Sequence, residues 1–130
     1  MLAEIEHRAG TRPASRLLTY FAVSRGAEPL GTVYVDTHLV RTLPETVLVV
    51  VSPSGEVARV EIAAFREPPE YRPSDRWLGQ FDRHRLTREL RANASIRTLA
   101  GATLSTRAVV DAVRRALALH EVLAAAGQEP

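Results

Sequence analysis

Two β-branched runs joined by a short turn, residues 47–51 and 57–64, constrain the fold of this chain most strongly. The first is an unbroken run of Val and Leu, which is typical of a central strand. The second alternates and predicts a strand with one face in water; its apolar face would consist of Ala58, Val60, Ile62 and Ala64. Pro53-Ser54-Gly55 predicts the turn between them. Together the two runs predict an antiparallel hairpin.

A second hairpin is predicted upstream. Leu17–Val23 is apolar, aromatic and β-branched, and Gly31–Asp36 alternates along its length. Residues 25–29 contain Gly and Pro and predict the turn that joins these strands. Residues 37–44 are interpreted as a connector that carries His38 and Arg41. Two hairpins of this kind predict an antiparallel sheet.

Helical patterns follow the strands. From Ser105 or Thr106 to about Leu123, apolar residues recur at helical spacing. The buried stripe predicted for this last helix is Val109, Ala112, Val113, Ala116, Leu117 and Leu123. Asp111 and Arg115 are spaced by one helical turn and predict an exposed ion pair. Shorter helical segments are predicted over residues 2–9, over 76–81 with Ser74 or Asp75 as the cap, and over 87–92.

Strands first and helices second favour an α+β fold. We expect an antiparallel sheet with helices packed on one face and a C-terminal helix that follows the Gly-Ala-Thr turn at residues 101–103. A length of 130 residues fits a single domain. Residues 1–16 and 124–130 are expected at its periphery.

Composition excludes several classes of site. The chain has no cysteine, which excludes disulfides and thiolate chemistry. Its basic residues are all Arg and are interspersed with acidic ones, so the net charge of +2 does not indicate nucleic-acid binding. No apolar run is long enough to cross a membrane, and the N-terminus lacks the apolar core of a signal peptide. His38 follows Asp36 closely, but no second His stands at ligand spacing, so no metal site is expected.

The run Gly101-Ala102-Thr103-Leu104-Ser105-Thr106 marks a candidate phosphate site. Small residues let a ligand approach the backbone closely. The start of the following helix offers unpaired N–H groups and the positive end of the helix dipole. Hydroxyls crowd the same turn, and the combination suits a phosphate group. The same residues also make an ordinary helix start, and Ser105 and Thr106 either donate to the phosphate or cap the helix.

The run from Gly101 to Val113 resembles the C-terminal signature of the FMN-binding domain family, which includes the flavin-carrying subunits of the Rnf and sodium-pumping NADH:quinone reductase complexes. Upstream, the strand, turn and strand over residues 47–64 and the loop Phe65-Arg66-Glu67-Pro68-Pro69 are similar to the family's second conserved segment. The resemblance covers roughly residues 31 to 120 and implies FMN as the cofactor. In many members the Thr of Gly-Ala-Thr, here Thr103, carries FMN through a phosphoester bond.

The resemblance also implies the rest of the pocket. Glu67, Pro69 and Tyr71 lie in the loop that would face the flavin ring, and a flavin ring needs flat apolar or aromatic walls. Trp77 either supplies such a wall or packs in the core with Phe81. Ala100 stands where the family usually has Ser or Thr, and Ile96 and Arg97 occupy the region of an expected acid. The resemblance therefore supports an FMN pocket more directly than covalent attachment.

The resemblance implies electron transfer as the function. No acid–base pair in the sequence indicates catalysis. Redox protein partners, which the family holds in a membrane complex, and a flavin transferase are the partners implied, without nucleic acid or direct membrane insertion. The family places such domains outside the cytoplasmic membrane; the absence of a signal peptide keeps a cytoplasmic location open. Two alternatives remain: a structural or partner-binding module that has lost the flavin, and a small reductase that binds FMN without a covalent bond.

Overall fold

The computed structural model of the protein describes residues 1–13, 15 and 18–127. Its elements are helix α1 (Leu2–Ala9), strands β1 (Thr19–Arg25), β2 (Glu28–Leu39), β3 (Pro44–Val51) and β4 (Val57–Phe65), the short helix α2 (Asp75–Leu78) and the long helix α3 (Thr103–Ala125). Single 3₁₀ turns cover Pro69–Tyr71 and Gly79–Phe81. Leu17, which was predicted to begin the first strand, and part of each predicted peripheral segment lie outside the described residues.

The four strands form one antiparallel sheet in the order β1-β2-β3-β4. The predicted hairpin of residues 47–51 and 57–64 is confirmed, with Val49 opposite Val60. The N–H of Ser52 donates a hydrogen bond to the carbonyl of Glu56, at 2.8 Å, and closes the turn of this hairpin. Strands in sequence order followed by a covering helix give the predicted α+β fold.

The predicted apolar face of β4 is partly wrong. Val57, Val60 and Ile62 are buried, whereas Ala58 and Ala64 are exposed. The pairing of β3 with β4 shifts register between Val50 and Val51 and again between Thr46 and Val47. Each irregularity turns the following residues to the other face of the sheet.

The predicted connector over residues 37–44 is also wrong, because half of it is strand. His38 pairs with Glu45 and Leu39 with Pro44, so the β2–β3 hairpin continues to a turn at residues 40–43. Pro44 can begin β3 because the first residue of a strand does not need an N–H group in the ladder.

One face of the sheet is covered by α3. The predicted stripe on α3 is confirmed: Val109, Ala112, Val113, Ala116, Leu117 and Leu123 are all buried. The helix begins at Thr103, two residues before the predicted start, and runs to Ala125. In the described part of the chain, no helix combines the length and apolar character needed to cross a membrane.

Two predictions about surface segments are corrected by this packing. Arg115 is only 8% exposed and pairs with Asp36 of β2, so it does not form an exposed pair with Asp111. Helix α1 forms as predicted but is not peripheral, because Ile5 and Ala9 belong to the core beside α3. Both corrections arise because α3 is buried over a wider arc than its apolar stripe indicates.

Between β4 and α3 the chain forms short turns that close the core. The predicted cap at Ser74 is confirmed, since its hydroxyl accepts a hydrogen bond from the N–H of Trp77. The predicted helical segment at residues 87–92 is wrong. The chain turns back on itself there, with the N–H of Ser95 bound to the carbonyl of Glu89, and this reversal buries Leu90 and Ile96.

Candidate functional site

A cleft of about 210 Å³ lies where three segments of the chain meet. Its lining residues are Val40 and Arg41 from the β2–β3 turn, Glu67 and Tyr71 from the loop after β4, and Gly101, Ala102, Thr103, Leu104 and Ser105 at the start of α3. The Gly-Ala-Thr turn and the Glu67–Tyr71 loop, which are far apart in sequence, therefore face the same cleft.

The start of α3 presents free hydrogen-bond donors to this cleft. Ala102 occupies the cap position and has no side-chain acceptor. The N–H of Thr106 begins the helical ladder by bonding to the carbonyl of Ala102 at 3.0 Å. Among the described residues, no acceptor lies within hydrogen-bond distance of the N–H groups of Thr103, Leu104 and Ser105. Such donors at the positive end of a helix dipole favour an anion.

Gly101 acts through its backbone conformation. Its φ angle of +75° lies in the left-handed region, which favours glycine. A Cβ atom placed on Gly101 would meet nothing within 4 Å, so space is not the reason for glycine here. The positive φ therefore accounts for glycine at this position.

Arg41 and Tyr71 form one side of the cleft. The guanidinium carbon of Arg41 lies 5.4 Å from the centre of the Tyr71 ring, within the range of a cation–π contact. In the described residues the Arg41 guanidinium has no carboxylate partner within 4.0 Å. The Glu67 carboxylate acts on Arg41 electrostatically, but no salt bridge holds the guanidinium, which can therefore turn to a ligand in the cleft.

Glu67 joins two of the segments that line the cleft. One oxygen of its carboxylate accepts hydrogen bonds from the backbone N–H groups of Thr42 and Leu43, each at 3.2 Å. The N–H of Thr42, with that of Leu43, holds the pKa of Glu67 below its usual value. Its role in the structure is to fasten the β2–β3 turn to the loop after β4.

Thr106 does not line the cleft. Its hydroxyl donates to the carbonyl of Ala102 and accepts from the N–H of Leu99, both at 3.1 Å, and the side chain is fully buried. The hydroxyl thereby holds the turn that leads into α3. Ser105 is also buried but does line the cleft, whereas Thr103 is exposed at its edge.

Trp77 and Pro69 likewise lie outside the cleft lining. Trp77 packs edge-on against Phe81, with ring centres 5.5 Å apart, and its indole N–H donates to the carbonyl of Arg97 at 2.7 Å. Of the two roles that the sequence left open for Trp77, the structure shows core packing. Pro69 begins the 3₁₀ turn that carries Tyr71.

Sequence reasoning missed Val40 and Arg41 as lining residues. Both belong to a turn whose strands were predicted too short, so no pattern placed them opposite the start of α3. The sequence marks Arg41 only as a single Arg after a strand, and this pattern is too common to indicate a site.

His38 belongs to a buried ionic cluster behind the β2–β3 turn. Its two ring nitrogens bond to Asp36 and Glu45, at 2.8 and 2.6 Å. Because both nitrogens are occupied by carboxylates, the histidine has no free nitrogen for a metal. Within the described residues no group of histidine and acidic side chains is arranged to hold a metal ion.

Comparison with known protein families identifies the family of this chain. The sequence model of the FMN-binding domain family matches residues 43–118, which include the β2–β3 turn from Leu43, the loop after β4 and the start of α3. No curated protein matches the chain. Because the match spans more than half of the chain, this protein belongs to the FMN-binding domain family, and its cofactor is FMN.

Proposed function

We propose that this protein is an electron-transfer domain that holds the phosphate of FMN at the start of α3. The observation that carries the proposal is the set of free N–H groups of Thr103, Leu104 and Ser105 beside the unpaired guanidinium of Arg41. A phosphate dianion there would receive backbone hydrogen bonds, the helix dipole and the charge of Arg41. These would outweigh repulsion from the Glu67 carboxylate, whose near oxygen is already bound to the N–H groups of Thr42 and Leu43.

The size of the cleft supports a particular orientation of the flavin. Pockets that bury a drug-sized ligand have volumes of roughly 300–1,000 Å³, whereas this cleft has about 210 Å³. It suits the phosphate and the adjoining part of the ribityl chain, and it leaves the ring at the mouth. Tyr71 and the exposed Leu104 offer apolar surface beside that position.

Bound FMN supplies the redox chemistry, taking electrons from one partner and passing them to another. The chain contributes binding and orientation. Arg41 offsets the phosphate charge, and Glu67 keeps the β2–β3 turn in place through the N–H groups of Thr42 and Leu43. A ring at the mouth of the cleft would be open to protein partners, which supports exchange of electrons with redox proteins.

We further propose Thr103 as the residue that carries FMN covalently. Its exposed position at the edge of the cleft would let a flavin transferase reach the hydroxyl. The Oγ1 atom would lose its proton and bond to phosphorus, while the leaving group of an activated flavin phosphate departs with the electron pair. The product is a phosphoester. The family resemblance supports partners in a membrane complex and a location outside the cytoplasmic membrane.

The phosphate site is tested by titrating the apo protein with FMN and with riboflavin, which lacks the phosphate. We expect FMN to bind and riboflavin to bind at least about tenfold more weakly, because charge-assisted hydrogen bonds contribute about 1.5–3 kcal/mol. Arg41→Gln should weaken FMN binding by a similar factor and leave riboflavin binding unchanged. Arg66→Gln is the matched control, since Arg66 is exposed and does not line the cleft.

Acid precipitation separates the modes of attachment. Flavin colour that stays with the pellet indicates a covalent bond, and colour that leaves with the supernatant indicates FMN held without one. Equal affinity for FMN and riboflavin, or an Arg66→Gln effect as large as that of Arg41→Gln, would contradict the phosphate site proposed here.

A further inference from the structure

A buried cluster of four side chains, Asp36, His38, Glu45 and Arg115, lies behind the cleft. His38 is hydrogen-bonded to Asp36 on one side and to Glu45 on the other. Arg115 of α3 donates to both oxygens of Asp36, at 2.8 and 2.9 Å. Glu45 is 0% exposed, and His38 and Arg115 are each 8% exposed. The bonds form a continuous chain from β3 through β2 to α3.

The two carboxylates of the cluster are unequally supplied with partners. Asp36 has His38 and a bidentate Arg115, whose guanidinium also donates to Thr11. Glu45 has His38 alone, and its second oxygen is buried with no partner among the described residues. Asp111 on α3 also acts electrostatically on the cluster. Glu45 therefore depends on His38 for its compensation.

The cluster connects two of the three segments that line the cleft. His38 and Glu45 face each other in the β2–β3 ladder, and only the Leu39–Pro44 pair separates them from the turn that carries Val40 and Arg41. Asp36 ties the same hairpin to Arg115, which stands about 15 Å along α3 from Ser105 at a rise of 1.5 Å per residue. The tip of this hairpin and the start of this helix are thus two of the segments that line the cleft.

We propose that this cluster, with His38 protonated, is a positioning device that fixes the β2–β3 turn against the start of α3 and so maintains the affinity of the cleft for FMN. His38 contacts no ligand in this scheme and acts through Arg41 and its turn. The affinity part of this proposal rests on the proposed function, whereas the positioning part does not.

The charge state of His38 controls the device. Burial lowers the pKa of His38, but the hydrogen bonds to Asp36 and Glu45 outweigh burial and raise it to about 9. The imidazolium therefore compensates Glu45 at neutral pH. Above pH 9 the ring loses its proton, Glu45 loses its compensation, and the hairpin tip is released.

Flavin titration of His38→Gln tests the affinity part. At pH 7 we expect the dissociation constant for FMN to rise at least about fivefold, the lower end of coupling between distinct sites. The control is Leu123→Ala, which removes buried volume near the other end of α3, far along the helix from the cleft. It should lower stability without changing the affinity of the folded fraction. Wild type should approach the affinity of His38→Gln as pH rises from 7 to 9.5. The pH dependence of His38→Gln itself, which lacks the titrating ring, measures effects of pH on the flavin.

Amide hydrogen exchange of the apo protein tests the positioning part without flavin. In His38→Gln the N–H groups of Val40, Thr42 and Leu43 should exchange faster relative to the N–H of Val60 in β4. In Leu123→Ala the exchange of all four N–H groups should change by the same factor. These turn amides bond to Leu43 and Glu67 in the structure, so their exchange reports release of the hairpin tip.

The outcomes separate the two proposals. Wild type that binds no FMN would contradict the proposed function, and the exchange result would then decide the positioning role alone. If wild type binds FMN, and His38→Gln has the same affinity for FMN and the same exchange rates in the β2–β3 turn, the inference is overturned. A Leu123→Ala protein that weakens FMN binding as much as His38→Gln would also overturn it, because general loss of stability would then explain both.

Discussion

Raising the pH from 6.5 to 9 should cost this protein about 3 kcal/mol of unfolding free energy through His38 alone. Its pKa rises from an ordinary value of 6.5 to about 9 on folding. One pKa unit corresponds to 1.36 kcal/mol, so the shift corresponds to roughly 3 kcal/mol. The side chain is 7% exposed, so solvent screening removes little of this contribution.

The sign follows from linkage. Because folding raises the pKa, the stabilisation is complete below pH 6.5 and is lost as pH rises through 9. His120 does not offset this loss, since burial lowers its pKa and its effect is confined to lower pH. Burial raises the pKa of Tyr34, so the folded state loses further stability at still higher pH, where an unfolded tyrosine ionises.

Urea denaturation followed by circular dichroism measures the effect. With a slope of about 1–3 kcal/mol/M, the midpoint should fall by about 1 to 3 M between pH 6.5 and pH 9. His38→Gln should have a lower urea midpoint than wild type at pH 6.5, and its midpoint should stay nearly constant up to pH 9. His7→Gln, which changes an exposed histidine, should show the same fall of the midpoint with pH as wild type. A wild-type midpoint that does not change with pH would refute the assignment of this titration to His38. A midpoint of His38→Gln that falls with pH as much as that of wild type would refute it too.

Two further predictions concern the core and the cleft. Leu117→Ala should lower the unfolding free energy by roughly 2–5 kcal/mol, because the side chain is only 2% exposed among the residues of α3 and the sheet; a denaturation midpoint equal to that of wild type would contradict the packing described. Co-expression with a flavin transferase should add the mass of FMN minus water to the protein, and Thr103→Val should abolish that addition while Ser105→Ala, a second hydroxyl in the cleft, keeps it. Ala100→Ser should raise the labelled fraction, and labelling that persists in Thr103→Val would place the attachment elsewhere.

Much of the fold could be predicted because its patterns are local. The unbroken Val-rich run of β3 is typical of a central strand, and the apolar stripe of α3 has the period of a helix, so their burial could be predicted. The errors occur where a contact with a residue distant in sequence determines the pairing or the burial. The period of β4 does not reveal the irregular pairing beside Val57, and the spacing of Asp111 and Arg115 does not reveal that Asp36 competes for the arginine.

The cleft was only partly predictable for the same reason. The turn before α3 has a sequence signature, so Gly101 and Thr103 could be named in advance. Arg41 enters the cleft only because β2 and β3 extend further than their apolar residues indicate. The hydroxyl of Thr106 looks equivalent to that of Ser105 in sequence, but helical geometry turns it inward to Leu99 and Ala102.

Two departures from ordinary polar pairing lie near the cleft. Helix α2 has Ser74 as a side-chain cap, whereas the much longer α3 has Ala102 at the cap position and the N–H groups of its first residues unpaired. The buried Glu45 keeps one oxygen without a partner, behind the turn that faces those groups. The unpartnered oxygen of Glu45 costs stability, because a buried polar group without a hydrogen bond is unfavourable. Local violations of this kind are expected where function requires them, and here they coincide with the segments that the FMN-binding family model matches.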